Sequence, residues 1–460
     1  MHNESAGTRP CNSFSLVLPD LVAGRSTPRD LLEYYLGRIA ARESEVRAFV
    51  VLNPEGARAA ADAATRRYRA GKPLSMVDGC PVGIKDIMDT HDLPTQMGSP
   101  AFAGWQPRYD AACVHALRAG GAIIVGKTVT TAFASGVTNV TCNPHDAART
   151  PGGSSSGSGA AVGAGMLPVA LGTQTQGSLL RPASYCGAVG FKPTHGALPM
   201  HGIHPISATH DHLGVIGATL ADTWRIASHI SLSHGSPGYS FLDGAAATPP
   251  LARPPKRLVR LHMRAWEAEV DAASRAAFEA LIEKLKGAGV EIEDRNSRAE
   301  IAEFESALDG GFVERSIDVT TWEMKWPYAQ YVERHGALIE KRVHDRMARA
   351  AGITTTQYAN LLADKRAMQE RARTMLADSD GFITLAASGP APVGRDNTGS
   401  RSYLVYATFL GIPAFSLPLL TADNMPLGVQ LMGIKGADGA LAATANWMMR
   451  EFAADIEQGG

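Results

Sequence analysis

The sequence predicts a layered α/β fold, on three observations. Short apolar runs alternate with helical patterns through the first half of the chain. The same alternation resumes after a long, mainly helical stretch. Strands on both sides of that stretch point to one sheet rather than independent domains. In order, Thr27-Pro28-Arg29-Asp30 reads as an N-cap with proline at the first helical position. Leu31, Leu32, Tyr35 and Ile39 then give that helix an apolar face. An alanine-rich helix follows at about Ala57 to Ala70. Pro81 to Ile84 reads as strand, Ala112 to Ala119 as helix and Ala122 to Val125 as strand. Gly157 to Gly165 reads as a small-residue helix and Met166 to Leu171 as strand. Gly235 to Pro255, rich in Gly, Pro and Ala, separates this block from the rest. Val270 to Lys286, stopped at Gly287 and followed by Val290-Glu291-Ile292, is a helix–turn–strand unit. Strands resume at Phe382 to Leu385, Phe415 to Leu417 and Val429 to Leu431. The expected organisation is one domain over 1–460, with N-terminal helices at about 1–75 and a mainly helical variable insert at about 240–380.

Bulk properties narrow the function. A chain of 460 residues buries a sizeable core, and 45% hydrophobic with 19% charged residues is the balance of a globular enzyme. Net charge is −1, from 44 Lys and Arg against 45 Asp and Glu. That gives no footprint for nucleic acid or an anionic membrane. Met1 to Pro10 lacks a basic region followed by an apolar one, and Gly159 to Leu171 is too short and glycine-rich to span a bilayer. Five cysteines (Cys11, Cys80, Cys113, Cys142, Cys186) are scattered without paired spacing. Reduced thiols in a cytoplasmic protein are expected.

Three short segments carry chemistry: Gly83-Ile84-Lys85-Asp86, Gly152-Gly153-Ser154-Ser155-Ser156-Gly157-Ser158 and Gly172-Thr173-Gln174-Thr175-Gln176-Gly177-Ser178. A serine hydroxyl needs a nearby base to become a nucleophile. Lysine can be that base only when neutral, and burial favours the neutral form. Lys85 sits among Val82, Gly83, Ile84 and Ile87, a setting that makes burial expected. Glycine-flanked turns expose backbone N–H groups of the kind a tetrahedral oxyanion requires.

Competing motifs fit less well. Gly121 to Thr128 satisfies the phosphate-loop pattern G-x-x-x-x-G-K-[ST], yet Ile123, Ile124 and Val125 are strand where a cradle needs a loop. Gly153-Ser154-Ser155-Ser156-Gly157 also fits a G-x-S-x-G nucleophile elbow with Ser155 exposed. That alternative leaves Lys85 and the Ser178 loop unexplained. Taken alone, Ser154 to Ser158 would be a helix cap. His195, His201, His204, His210 and His212 lack the spacing of a helical metal pair, so neither metal nor cofactor is expected.

The three segments together resemble the amidase signature family, whose hallmark is a Lys–cis-Ser–Ser triad. Further likenesses in the family's order are Gly126-Lys127-Thr128, Gly190-Phe191-Lys192-Pro193-Thr194, Asp211 with Gly214, Gly411-Ile412-Pro413-Ala414 and Pro426 to Gln430. They cover roughly residues 20–450. The resemblance implies a three-layer α/β/α fold with a central mixed sheet of many strands covered by helices. It also implies that Lys85 is the base, Ser154 the bridging serine after a cis peptide and Ser178 the nucleophile. Ser155 would support the relay, and the amides of Thr175, Gln176, Gly177 and Ser178 would form the oxyanion hole. Ala134, Ser135 and Gly136 would line the substrate pocket beside Gln176.

The nucleophile loop departs from the family's Gly-Thr-Asp-x-Gly-Gly-Ser. Gln174 puts a neutral amide where a carboxylate is usual, Gln176 replaces glycine, and Leu180 stands where an arginine is common, with Arg181 next. Trp322, Met324, Trp326, Tyr328 and Tyr331 are read as an aromatic rim or, more simply, as core. The resulting expectation is hydrolysis of an amide or carbamate (urethane) C–N bond in a small neutral aryl- or alkyl-bearing substrate, with esters as side substrates. The enzyme would be a monomer or homodimer using water, without nucleic acid or membrane. The alternatives are a glutamine-hydrolysing subunit of a tRNA-dependent amidotransferase and a non-catalytic scaffold.

Overall fold

The computed structural model describes residues 13–135, 140–234 and 248–453. Local signals act where the sequence places them. Thr27 caps the helix Pro28–Val46 by accepting from Asp30 N at 3.1 Å, and the Asp30 carboxylate accepts from Thr27 N at 3.2 Å. The alanine-rich helix starts earlier than expected, at Pro54, because Asn53 accepts from Gly56 N at 3.1 Å.

Chain order gives β1 (Phe49–Leu52), β2 (Pro81–Lys85), β3 (Ile123–Thr128) and β4 (Val169–Gln174). β5 (Val189–Lys192), β6 (His212–Gly217), β7 (Arg257–Arg260) and β8 (Glu291–Glu293) follow. Helices fill the stretch from Ala299 to Met375, and β9 (Phe382–Leu385), β10 (Ala414–Ala422) and β11 (Met425–Met432) complete the set. Among the described residues these eleven strands form one mixed sheet, ordered β1-β3-β2-β4-β6-β5-β10-β11-β9-β7-β8. β7 and β8 join it through β9, so the sheet continues across the helical insert as the sequence implies.

Two strand boundaries differ from the sequence reading. The ladder of β4 begins at Val169 rather than Met166, because Pro168 has no N–H to give; its carbonyl accepts from Ala218 N at 2.9 Å. β10 and β11 run longer than the apolar cores suggest. They are joined at Asp423 and Asn424, both left-handed (φ 50° and 57°), the pair a tight primed hairpin turn needs.

Helices flank the sheet. Leu220–His234 packs on β5 and β6, and Ser156–Gly163 packs on β4. The start of the second helix also depends on glycine, where it meets the chain before β1 and after β3: a Cβ at Gly157 would lie 2.2 Å from Ala48 O and 2.4 Å from Val129 N. Phe191 of β5 stacks on Phe415 of β10 at 4.3 Å, deep in the core. The site is positioned by β2 and β4, which run parallel with Ile84 opposite Leu171. Both strands therefore deliver their C-terminal ends, Lys85 and Thr173-Gln174, to the same edge of the sheet.

Candidate active site

Lys85 is fully buried at the end of β2. Its Nζ lies 2.7 Å from Ser154 Oγ and 2.8 Å from Thr173 Oγ1, hydrogen-bonded to both. Burial holds its pKa well below the lysine range, and the Asp211 carboxylate only partly opposes that. The Gly153–Ser154 peptide is cis. Arg181 Nη2 donates to Gly153 O at 2.6 Å and to Thr398 Oγ1 at 2.9 Å, pinning the turn from behind. Ser155 N donates to Ser178 O at 3.1 Å and so ties the serine turn to the Ser178 loop. The Ser155 hydroxyl bonds the backbone N and O of Thr173, each at 3.3 Å. It fixes the residue that meets Lys85 and is not an exposed elbow nucleophile.

The Ser178 loop leaves β4 under several anchors. Thr175 Oγ1 donates to Asp211 Oδ1 at 2.7 Å, while Asp211 Oδ2 accepts from Ile206 N at 2.8 Å and Ser207 N at 2.9 Å. Burial raises the Asp211 pKa to about 6 against the pull of those donors. Gln174 Oε1 accepts from Leu179 N at 3.2 Å and Leu180 N at 3.0 Å, so the amide caps the chain where a carboxylate is common in the family. Gln176 has no positive φ, which leaves its position open to a side chain; its Oε1 accepts from Arg401. Gly177, at φ 106°, is the residue that does need glycine. Ser178 is half-buried, and its hydroxyl and the amides of Gln176, Gly177 and Ser178 bond no protein partner among the described residues. These are unspent donors beside a hydroxyl, the arrangement an oxyanion would use.

Ser154 and Ser178 share the wall of a narrow cleft of about 50 Å³. Ala134, Ser135, Thr175 and Gln176 line it too; Gly136 lies outside the described residues. The aromatic rim does not form. Trp322 stacks on Tyr358, Tyr328 and Tyr331 pack around Phe133 and His204, and Trp326 is 68% exposed. Aromatic content alone does not say which helix face turns to the cleft, and here the rings turn to the core or to solvent instead. Four arginines take that place: Arg181, Arg342, Arg346 and Arg401. Sequence reasoning noted Arg181 only as the neighbour of Leu180 and missed the other three and the role of Thr173. Arg342 and Arg346, one turn apart on the helix Lys341–Gly352, were the available signal.

The competing motifs have structural roles. Lys127 belongs to β3 and is buried, 3.3 Å from Asp86 and donating to Thr95 Oγ1 at 2.6 Å and Met88 O at 2.9 Å. It braces the chain after β2 and does not open onto a phosphate. His204, His210 and His212 are buried, with pKa values driven down by burial. Among the described residues, the one cluster with metal-ligand geometry is His91, Asp92 and Asp110, and none of the five histidines of this stretch belongs to it.

The amidase family profile matches residues 30–442. The A subunit of the glutamyl-tRNA(Gln) amidotransferase of Chloroflexus aggregans is 33% identical, over 90% of this chain and 91% of its own length. A crystal structure of an amidase superimposes with TM-score 0.83 at 25% identity, covering 96% of this chain and all of the other. The peptide amidase of Stenotrophomonas maltophilia gives TM-score 0.80 at 25% identity, over 95% and 96% of the two chains. With the expected fold and the matched profile together, the chain belongs to the amidase signature family.

Proposed function

We propose that the chain hydrolyses the C–N bond of a small amide through an acyl-enzyme on Ser178, with Ser154 and Lys85 as a proton relay. The observation that carries this is the buried Lys85 nitrogen, 2.7 Å from Ser154 Oγ in the cleft that Ser178 shares. Ser178 Oγ attacks the carbonyl carbon as its proton passes to Ser154, whose own proton passes to neutral Lys85. The oxyanion is met by the amides of Gln176, Gly177 and Ser178, with Thr175 N at the loop's start. Collapse breaks the C–N bond as Ser154 protonates the departing amine and recovers a proton from Lys85. Water then attacks the acyl-enzyme through the same relay and releases the acid. Metal and cofactor have no part in this scheme. Four buried, free cysteines accord with a reducing, cytoplasmic setting, and no described helix is long and apolar enough to cross a membrane.

A second reading is favoured by the relatives: a protein that hydrolyses glutamine and passes ammonia to a partner that works on charged tRNA. Its chemistry at Ser178 is the same, but its substrate is a zwitterion. No Asp or Glu is among the described residues lining the cleft, so an α-ammonium would face guanidinium groups without a counter-charge.

The test is a hydrolysis panel of primary amides, anilides, carbamates, ureas, esters and glutamine, with Ser178→Ala as control. Wild-type protein releases amine or ammonia from at least one amide, and Ser178→Ala loses at least about 10³-fold in kcat. Full activity in Ser178→Ala, or no turnover of any member, contradicts the proposal.

A further inference from the structure

The wall facing the two serines is strongly basic. Arg181 comes from the helix after the nucleophile, Arg342 and Arg346 from the helical insert, and Arg401 from the loop before the helix Val405–Leu410. Among the described residues, Arg181, Arg346 and Arg401 form no salt bridge. Arg181 is held by the carbonyls of Gly153 and Ser400, and its Nε is buried without a partner. Arg346 reaches only the sulfur of Met324, at 3.7 Å, a weak acceptor. Arg401 donates to the Gln176 side chain, on the loop that carries Ser178.

Guanidinium groups crowded together with no carboxylate on the cleft wall repel one another; Glu314 acts on Arg401 but is already paired with Arg349. Burial, and the charges of Arg401 and Arg342, bring the Arg181 and Arg346 pKa values down to about 10. Both stay cationic at neutral pH. A compact anion in the cleft would relieve that repulsion and meet forks suited to two-point binding.

Resting on the amidase reading above, we propose that the substrate is a small amide bearing a carboxylate and no ammonium group, its carboxylate held by Arg346 and Arg401. The monoamides of short dicarboxylic acids have this chemistry. The cleft is narrow, about 50 Å³, and leaves the anion only a few bonds from the carbonyl that Ser178 attacks. Gln176, bonded to Arg401 and part of the oxyanion loop, links the two ends of the substrate. This replaces the neutral aryl- or alkyl-bearing substrate expected from the sequence.

Two arms test it. In the binding arm, Ser178→Ala protein is titrated by calorimetry with malonamate, succinamate and glutaramate, with the matching neutral diamides and with L-glutamine. At least one monoamide is expected to bind about 10-fold or more tighter than its diamide, weakening as salt rises, with glutamine weaker than the monoamide. In the kinetic arm, Arg346→Gln and Arg401→Gln are expected to lower the monoamide-to-diamide ratio of kcat/KM by roughly 10- to 100-fold, mainly through KM. Arg346→Lys, which keeps the charge and loses the fork, should restore part of that ratio. Equal or better use of the diamides, preference for glutamine, or a ratio unmoved in both glutamine variants overturns the inference. Turnover that prefers neutral amides leaves the amidase reading standing and the carboxylate inference fallen. Selective monoamide binding by Ser178→Ala without any wild-type turnover does the opposite: the carboxylate site stands and the amidase reading falls.

Discussion

At the residue scale the proposed chemistry turns on one amine. Lys85 is buried without a carboxylate partner, and a protonated lysine there would be costly. The unfolded chain keeps a proton on this amine up to the ordinary lysine range, whereas the native state sheds it well below. Between those two values the unfolded state binds more protons, so native stability rises with pH, by about 1.4 kcal/mol per unit for this group. Lys85→Met removes the titration and leaves the other buried lysines in place. The melting temperature of wild type minus that of Lys85→Met should therefore climb between pH 7 and pH 10, read by circular dichroism. A difference flat in pH contradicts a neutral Lys85. The proposed triad stood out because each residue stands in a distinctive context: a lysine between apolar residues, serines between glycines. Thr173 did not, since a strand threonine carries no mark of the side chain it will meet. The arginines were hidden by distance: Arg181 and Arg401 stand far apart in the chain and only the fold brings them to one cleft.

At the element scale, the loop from Gln174 to Ser178 shows how a departure from a family pattern is absorbed. Gln174 supplies the acceptor for Leu179 and Leu180 that a carboxylate could supply. Gln176 adopts a backbone conformation open to any residue and spends its side chain on Arg401 and, at 3.5 Å, on Ser316. Gln176→Gly should keep hydrolysis while raising KM and broadening the substrate profile, because Arg401 loses its tether. Full retention of the profile across amides and carbamates would remove Gln176 from the pocket's design. Element types were readable from periodicity and caps, as at Thr27, although the helix expected to stop at Gly287 includes it and closes on Ala288 and the left-handed Gly289. Boundaries slipped where one backbone group decided them, as at Pro168, which starts β4 late. The short strands β5 and β6 escaped notice because Gly190 and Gly214 interrupt their apolar runs.

At the scale of the whole molecule, sequence showed that strands flank a helical insert and therefore share a sheet. It did not show the order, in which β2 and β4 lie side by side and β5 pairs with β10 far along the chain. Such pairings are set by long-range packing, not by local pattern. The order matters for function because the adjacent parallel ends of β2 and β4 bring Lys85 to the serine turn and the Ser178 loop. The most direct measurement is covalent capture by a fluorophosphonate, followed by intact mass and peptide mapping. A relay from Ser178 to Lys85 predicts one adduct, on Ser178, with a labelling rate that rises with pH to a plateau and falls at least about 10²-fold in Lys85→Ala. An adduct on Ser155 or elsewhere, or undiminished labelling of Ser178 in Lys85→Ala, would contradict it.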